Sequence, residues 1–407
     1  MTGDRLSVVD DIFLRTHRGF GLPIVLQGIW RSEDAIDRVD IAAVHANLAL
    51  GRLGRRVLKP RIPGSRRRWI PSTDTLPIEY SSATLAEGSV LEWADAQGEI
   101  DLDPEFGPGW RISVAATTTG GTVISLVCSH ALADAAGLIS AVGKAIEGSA
   151  PEPRSRRTSD IADAVALGTR VTVRSIRAAA GLVLSRDARR ELAAFMRSSG
   201  AVQTHESYSS TAIFDVDAHL SNAEFISVVA DIAFALGEPE PVSINIPFRS
   251  NTQGTNAIGM ATIDVSGTDT VGAIRESAKA AFATPAGAPS GFPAEVVQLL
   301  PDARAAALTA SPGTARVLCS NVGALPPSVM SIGGHPASSL ATRAIHPGTG
   351  GAPTATALSA YLSTSGPTST LSLVGTAASF APILDSTASA VLERRGLRAR
   401  SWNQGLP

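Results

Sequence analysis

The sequence predicts two α+β lobes of similar build, and three observations carry that expectation. At 407 residues the chain exceeds what a single hydrophobic core fills. Each half mixes apolar runs rich in β-formers with stretches of helical period, the mark of α+β layers. Between the halves the texture changes: Ala150 to Asp160 holds Pro151, Pro153, Arg154, Arg156, Arg157 and Ser159 with almost nothing apolar. That stretch reads as an exposed connection, so the lobes are placed at residues 1–155 and 156–407. No internal sequence repeat relates them.

Composition bounds the function. With 44% hydrophobic and 18% charged residues the chain is of the soluble globular class. A net charge of -2 argues against nucleic acid as the main partner. No run of 18 apolar residues suggests a transmembrane helix, while peripheral contact with a membrane stays open. The first eleven residues carry Asp4, Asp10 and Asp11 and no apolar signal core, so no secretion signal is expected. Cys128 and Cys319 sit in apolar strand-like runs and read as reduced core residues of a cytoplasmic protein. No cysteine–histidine cluster suggests a metal, and the Ala, Gly, Ser and Arg-rich usage has a bacterial flavour.

In order, Ser7–Leu14 is a short entry segment, and Pro23–Trp30 has strand pattern. Asp37–Leu50 is helical, with Val39, Ala42, Ala43, Ala46 and Leu50 on one face. Arg52 to Arg68 holds eight basic residues, which read either as a solvated surface or as a landing patch for an anionic group. A helix is predicted over Ala83–Asp95. Trp110–Ala115 and Thr122–Cys128 are strands joined at Gly120-Gly121, and a helix follows Asp134 to near Gly148. A bridging helix runs from Ile161 to about Leu184. In the second half, Thr211–Val216, Val242–Arg249, Met260–Val265 and Arg316–Ser320 read as strands. Asn222–Leu236 is a helix whose Ser221 and Glu224 form a capping box. Val271–Phe282, Pro293–Leu308 and Asp385–Arg395 are further helices, and Ala355–Ala377 is a long hairpin around Ser365-Gly366-Pro367.

The stretch that carries chemistry is Ser129-His130-Ala131-Leu132-Ala133-Asp134, where a strand hands over to a helix. One reading is structural: His130 is satisfied by backbone and Asp134 caps the helix. The other is catalytic: an imidazole titrates near neutrality, so His130 is a general base that takes a proton from a hydroxyl or amine as it attacks an activated acyl group. Asp134 then orients the site or belongs to a structural ion pair.

This segment resembles the HHxxxDG signature of the CoA-dependent acyltransferase and condensation-domain superfamily, with the chloramphenicol acetyltransferase fold. Ile246-Pro247-Phe248-Arg249 followed by Asn256-Ala257-Ile258-Gly259 resembles the strand-Arg and Asn-x-x-Gly region of its second lobe. Ser320-Asn321-Val322-Gly323 resembles the Ser-Asn motif of the bacterial wax ester synthase/diacylglycerol acyltransferases and the polyketide-associated acyltransferases. The opening Asp11-Ile12-Phe13-Leu14 is similar to that branch too. The resemblance implies a V-shaped pair of lobes with a tunnel between them. It implies His130 as the base and a structural salt bridge between Asp134 and Arg249. The acyl donor would be acyl-CoA or an acyl carrier protein, the acceptor a small molecule, and no cofactor is required. Two departures stand out: the first His is Ser129, and the Gly after Asp is Ala135, with Gly137 two further on.

Ser129, Gly137, Asn256, Ser320 and Asn321 are the expected supporting residues, Ser320 and Asn321 as neighbours of a tetrahedral oxyanion, though Asn321 equally suits a loop-holding role. His346 to Gly351 reads as a tunnel rim, His335 as a turn residue, and Asp302 and Glu295 as solvated. His17, His45, His205 and His219 show no acidic or nucleophilic partner at useful spacing. The leading function is acyl transfer from a thioester to a hydroxyl or amine. The alternatives are a non-catalytic module that holds an acyl chain or carrier arm, and a condensation-like enzyme turned to cyclisation or hydrolysis.

Overall fold

The structure is a computed structural model. It describes residues 5–20, 23–149, 159–198, 205–206, 209–249, 258–283, 293–309, 315–348 and 353–403. The lobe boundary expected near residue 155 lies outside these.

Two sheets carry the two lobes. The first, five-stranded, has at its centre Val25–Ser32 and Thr122–Ser129, flanked by Trp110–Ala116 and the short Glu79–Tyr80. Its other edge is Ser339–Ile345, antiparallel to Val25–Ser32. A strand from the second half of the chain thus completes the first lobe's sheet. The second sheet has seven strands, ordered Ile258–Val265, Val242–Arg249, Val317–Ala324, Leu358–Ser365, Thr368–Gly375, Ser210–Val216 and Ala399–Ser401. Each sheet packs its own apolar cluster. A third, smaller cluster joins the lobes: Ile29 and Val123 meet Ile213 and Trp402 there, with Leu91 and Ala94 of the helix Val90–Gly98.

The helices are α1 Val8–Phe20, α2 Arg38–Leu50, α3 Val90–Gly98, α4 Ala135–Ile146, α5 Asp160–Leu184, α6 Arg186–Ser198, α7 Asn222–Ala235, α8 Val271–Ala283, α9 Asp302–Thr309 and α10 Leu384–Arg394. The capping box on α7 forms as expected, with Ser221 accepting from the Glu224 N–H and Glu224 accepting from the Ser221 N–H at 2.9 Å. The hairpin over residues 358–375 turns at Gly366, whose φ of 59° suits glycine. Both cysteines are buried and free, and burial pushes the Cys128 thiol up to about 12.

Several expectations are corrected. α2 turns Ile41, Val44 and Leu48 inward and leaves Val39 78% and Leu50 65% exposed. The larger side chains won the core face from the alanine-rich one, because they remove more apolar area from water. The helix expected at Ala83 begins at Val90, after a single turn of 3₁₀ helix. The helix expected over Pro293–Leu308 breaks into a 3₁₀ segment Ala294–Leu299 and α9, since Pro301 holds the residue before it out of helical space.

The basic stretch Arg52–Arg68 is neither a solvated surface nor a landing patch at its core. Arg67, 7% exposed, donates to Asp11, Glu105 and Asp302 at 3.1–3.2 Å. Arg66 donates to Asp163 at 2.6 Å, and Arg5 to Asp160 at 2.7 Å. Asp302 is therefore an ion-pair member, and Glu295 pairs with Arg174 at 2.8 Å. These bonds tie the first lobe to α5 and α9. His17, read as lacking an acidic partner, meets Asp101 at 2.8 Å, while His45 Nε2 lies 2.9 Å from the Leu76 backbone carbonyl.

The Asp163 carboxylate carries a pH prediction. Burial opposes its ionisation, but hydrogen bonds from the Arg66 side chain and backbone outweigh that and hold it below the ordinary 3.8. A group with a depressed folded-state pKa contributes stability above its unfolded value, and the contribution is lost as pH falls through the folded value. Asp163→Asn should therefore lower the urea midpoint at about pH 6, and the gap to wild type should narrow as the pH falls below the ordinary 3.8. A gap that persists unchanged into acid would contradict this.

Candidate functional site

His130 follows the last residue of the strand Thr122–Ser129. Its backbone N–H donates to the Ile24 carbonyl at 2.9 Å, which fixes where the chain leaves the sheet. Phe13, on α1, stacks on the imidazole with ring centroids 3.9 Å apart and planes 20° from parallel. Such a stack sets the plane of the imidazole. Stacking engages the face of the ring, whereas proton transfer runs in its plane.

His130 lines a cavity of about 380 Å³ bounded by both lobes. The first lobe contributes an apolar wall: Leu138, Ile139 and Val142 of α4, with Leu26 and Trp30 of the central strand. The second contributes polar side chains, among them Ser320, Ser359 and Tyr361. Burial pushes the Tyr361 phenol up to about 12, although Ser359, the Ala344 backbone and Arg343 favour its ionised form. It is thus a hydrogen-bonding group rather than a base. A cavity of this size with an apolar wall and a few polar groups is typical of small-molecule sites.

The Asp134–Arg249 salt bridge does not form. Asp134, 6% exposed, is the N-cap of α4, and its Oδ1 accepts from the Gly137 N–H at 2.7 Å. Arg249 is the exposed last residue of its strand. Close to the cap stands Arg52 of the first lobe, whose Cζ would lie 3.7 Å from a Cβ added at Gly137. The capping role of Asp134 is the one the structure supports.

Gly137 is where α4 admits that cap. A Cβ there would stand 2.9 Å from Asp134 Oδ1. Gly→Ala inside a helix usually stabilises by about 0.5–1 kcal/mol. Here it would displace a buried carboxylate from its donor, at a cost of about 1–3 kcal/mol. Gly137→Ala is therefore expected to lower the denaturation midpoint, while Gly168→Ala in α5, where nothing lies within 4 Å of the added Cβ, raises it. Equal shifts at the two sites would refute the clash.

Ser320 reaches the cavity, from the strand Val317–Ala324. Asn321 does not line it. Its Oδ1 accepts from the Gly323 N–H at 2.8 Å, at a bulge where Gly323 has φ of 84°, so it holds the strand's kink. Ser129 is buried, and its backbone N–H donates to the Gly109 carbonyl at 2.8 Å. Ala135 lines the cavity. Asn256 and the loop beyond Gly348 to 352 lie outside the described residues, while His346 lines the cavity as expected of a rim. His335 follows the Gly333-Gly334 turn and meets Asp34 at 3.1 Å.

Sequence reasoning missed Phe13 as a contact of His130, although Asp11-Ile12-Phe13-Leu14 had drawn attention. It also missed Arg343, which lies fully buried on the crossing strand Ser339–Ile345. Arg343 donates from Nε to Gln27 at 2.8 Å and meets Asp95 at 2.6 Å.

Comparison with known proteins places this arrangement. No protein-family profile matches the chain, and no curated protein is significantly similar in sequence. Solved structures do match over nearly the whole length. The first condensation domain of the CDA synthetase aligns with a TM-score of 0.58 at 12% identity, over 99% of this chain and 98% of that one. The starter condensation domain of rhizomide synthetase, a mutant in complex with C8-CoA and Leu-SNAC, gives 0.54 at 12%, over 97% and 92%. Polyketide synthase associated protein 5 from Mycobacterium tuberculosis gives 0.54 at 13%, over 95% and 96%. The chain has the two-lobed condensation-domain fold, the one the His130 and Ser320 motifs led us to expect.

Proposed function

We propose that this protein is an acyltransferase that moves an acyl group from a thioester, on CoA or a carrier-protein arm, to a hydroxyl or amine acceptor. The observation that carries the reading is that His130 of the first lobe and Ser320 of the second face one cavity, the imidazole held in plane by Phe13. A similarly folded condensation domain has been seen in complex with C8-CoA and Leu-SNAC, which supports thioesters as the class of substrate.

In the proposed reaction the acceptor oxygen or nitrogen attacks the thioester carbonyl carbon while His130 takes its proton. The carbonyl oxygen becomes an oxyanion, for which the Ser320 hydroxyl is a donor. Collapse re-forms the carbonyl, breaks the carbon–sulfur bond, and the departing sulfur recovers the proton from His130. The products are an ester or amide and a free thiol.

The apolar wall formed by α4 suits an alkyl acyl chain, and Ser320, Ser359 and Tyr361 of the second lobe suit the acceptor. The test is incubation with octanoyl-CoA and panels of amines and alcohols, read by mass spectrometry for acylated product. Binding of the thioester without any turnover would overturn the proposal in favour of a holding module, and release of free acid alone would make the protein a hydrolase.

A further inference from the structure

The 25-residue helix α5 has a solvent-facing side unlike that of an ordinary surface helix. Its inward side is set by Asp163, Leu167 and Ala178. Outward lie Ile161, Val165 and Ile176, each 63% exposed, Val173 at 41%, Val183 at 76% and Leu184 at 85%. At about 100° per residue these six fall within an arc of about 140°. Only alanines and threonines lie between them on that arc. The face runs the length of the helix, roughly 37 Å. Contiguous exposed apolar surface on this scale marks an interaction site rather than scatter.

Charge says what covers it. From Ala164 to Arg186 every charged residue is an arginine: Arg170, Arg174, Arg177 and Arg186. The acids at the start of α5 are turned inward, Asp160 to Arg5 and Asp163 to Arg66. Glu295 answers Arg174 at 2.8 Å and Arg170 at 3.9 Å, leaving Arg177 on the flank. The basic edge continues into α6 with the exposed Arg189 and Arg190, against Asp187. A second copy of the chain would bring two arginine edges together, which like charges oppose. A flat anionic surface meets both features at once: apolar side chains enter the acyl boundary and arginines meet the headgroups.

We propose that α5 is an interfacial anchor that lays the protein on a membrane surface bearing anionic lipid. This goes beyond acyl transfer and stands whether or not the cavity is catalytic. The helix is no membrane span: among the described residues none is long and apolar enough to cross.

The test is co-sedimentation of the full chain with vesicles of phosphatidylcholine alone and of phosphatidylcholine with about a third phosphatidylglycerol. Wild type should sediment with the mixed vesicles and much less with the neutral ones. Each arginine near the surface is worth about fivefold, so Arg177→Glu with Arg186→Glu should lower the mixed-vesicle partition at least tenfold. Val165→Asp with Ile176→Asp should abolish it. These positions are exposed, and an unchanged thermal melt confirms that the variants fold. Wild type remaining in solution with both vesicles overturns the proposal. So does binding indifferent to the aspartates, or a wild-type dimer or carrier-protein complex that the aspartates dissolve in the absence of any vesicle binding.

Discussion

His130→Ala should lower turnover by about 10² to 10⁴, the range that a positioned general base contributes, while thioester binding persists. The expectation follows from where the residue stands. His130 projects from a strand end into the interlobe cavity, its backbone anchored to Ile24 and its ring plane set by Phe13. In the proposed reaction the apolar α4 wall would hold the acyl chain, and the substitution leaves that wall in place. The loss should therefore fall on kcat more than on KM. The measurement is single-enzyme turnover of octanoyl-CoA with the best acceptor found, alongside calorimetric binding of the thioester. Activity indifferent to the substitution would remove His130 from the mechanism even if the acyltransferase reading survived.

How much of this was legible depends on how local the determinants are. The His130 hand-over could be read because a β-rich run, a titratable side chain and a helix start lie within ten residues. The α7 capping box and the hairpin at Gly366 were legible for the same reason. The Asp134–Arg249 pair failed because a motif transfers a residue type but not its partner: here a neighbour three residues on, Gly137, takes the carboxylate first. The crossing strand Ser339–Ile345 went unseen because it is buried on both faces and carries Arg343 at its middle. A charge there argues against a strand until Gln27 and Asp95 are known to meet it, and both lie hundreds of residues away. The face of α2 was misjudged because two apolar faces compete on that helix, and only the tertiary neighbours decide between Val39 and Val44.

The largest stability effect is expected at Arg67, and it reaches the site. Arg67 stands among three carboxylates, Asp11, Glu105 and Asp302, and carries little exposure. Burial disfavours its charge, but those three partners outweigh burial and raise its pKa. Asp11 shows the opposite balance. Burial raises its carboxyl, and Arg15 and Arg67 offset this only in part. Removing one member of a buried ion cluster strands the others, at a cost of about 3–5 kcal/mol. Arg67→Met should therefore melt about 4–6 °C lower. It should also push Asp11 further up. A carboxyl whose folded pKa exceeds its unfolded one weighs against the fold above that value and is relieved as pH falls through it. The deficit should thus narrow on mild acidification, and Asp11→Asn added to Arg67→Met should recover part of the loss. A double variant no better than the single one would show that stranded charge is not the cause. Asp11 lies two residues before Phe13 on α1, and Arg15 of the same helix holds Asp11 at 2.6 Å. The cluster that locks α1 to the rest of the chain therefore also holds the ring that sets the plane of His130. In Arg67→Met, turnover should fall together with stability, and the double variant should recover part of both.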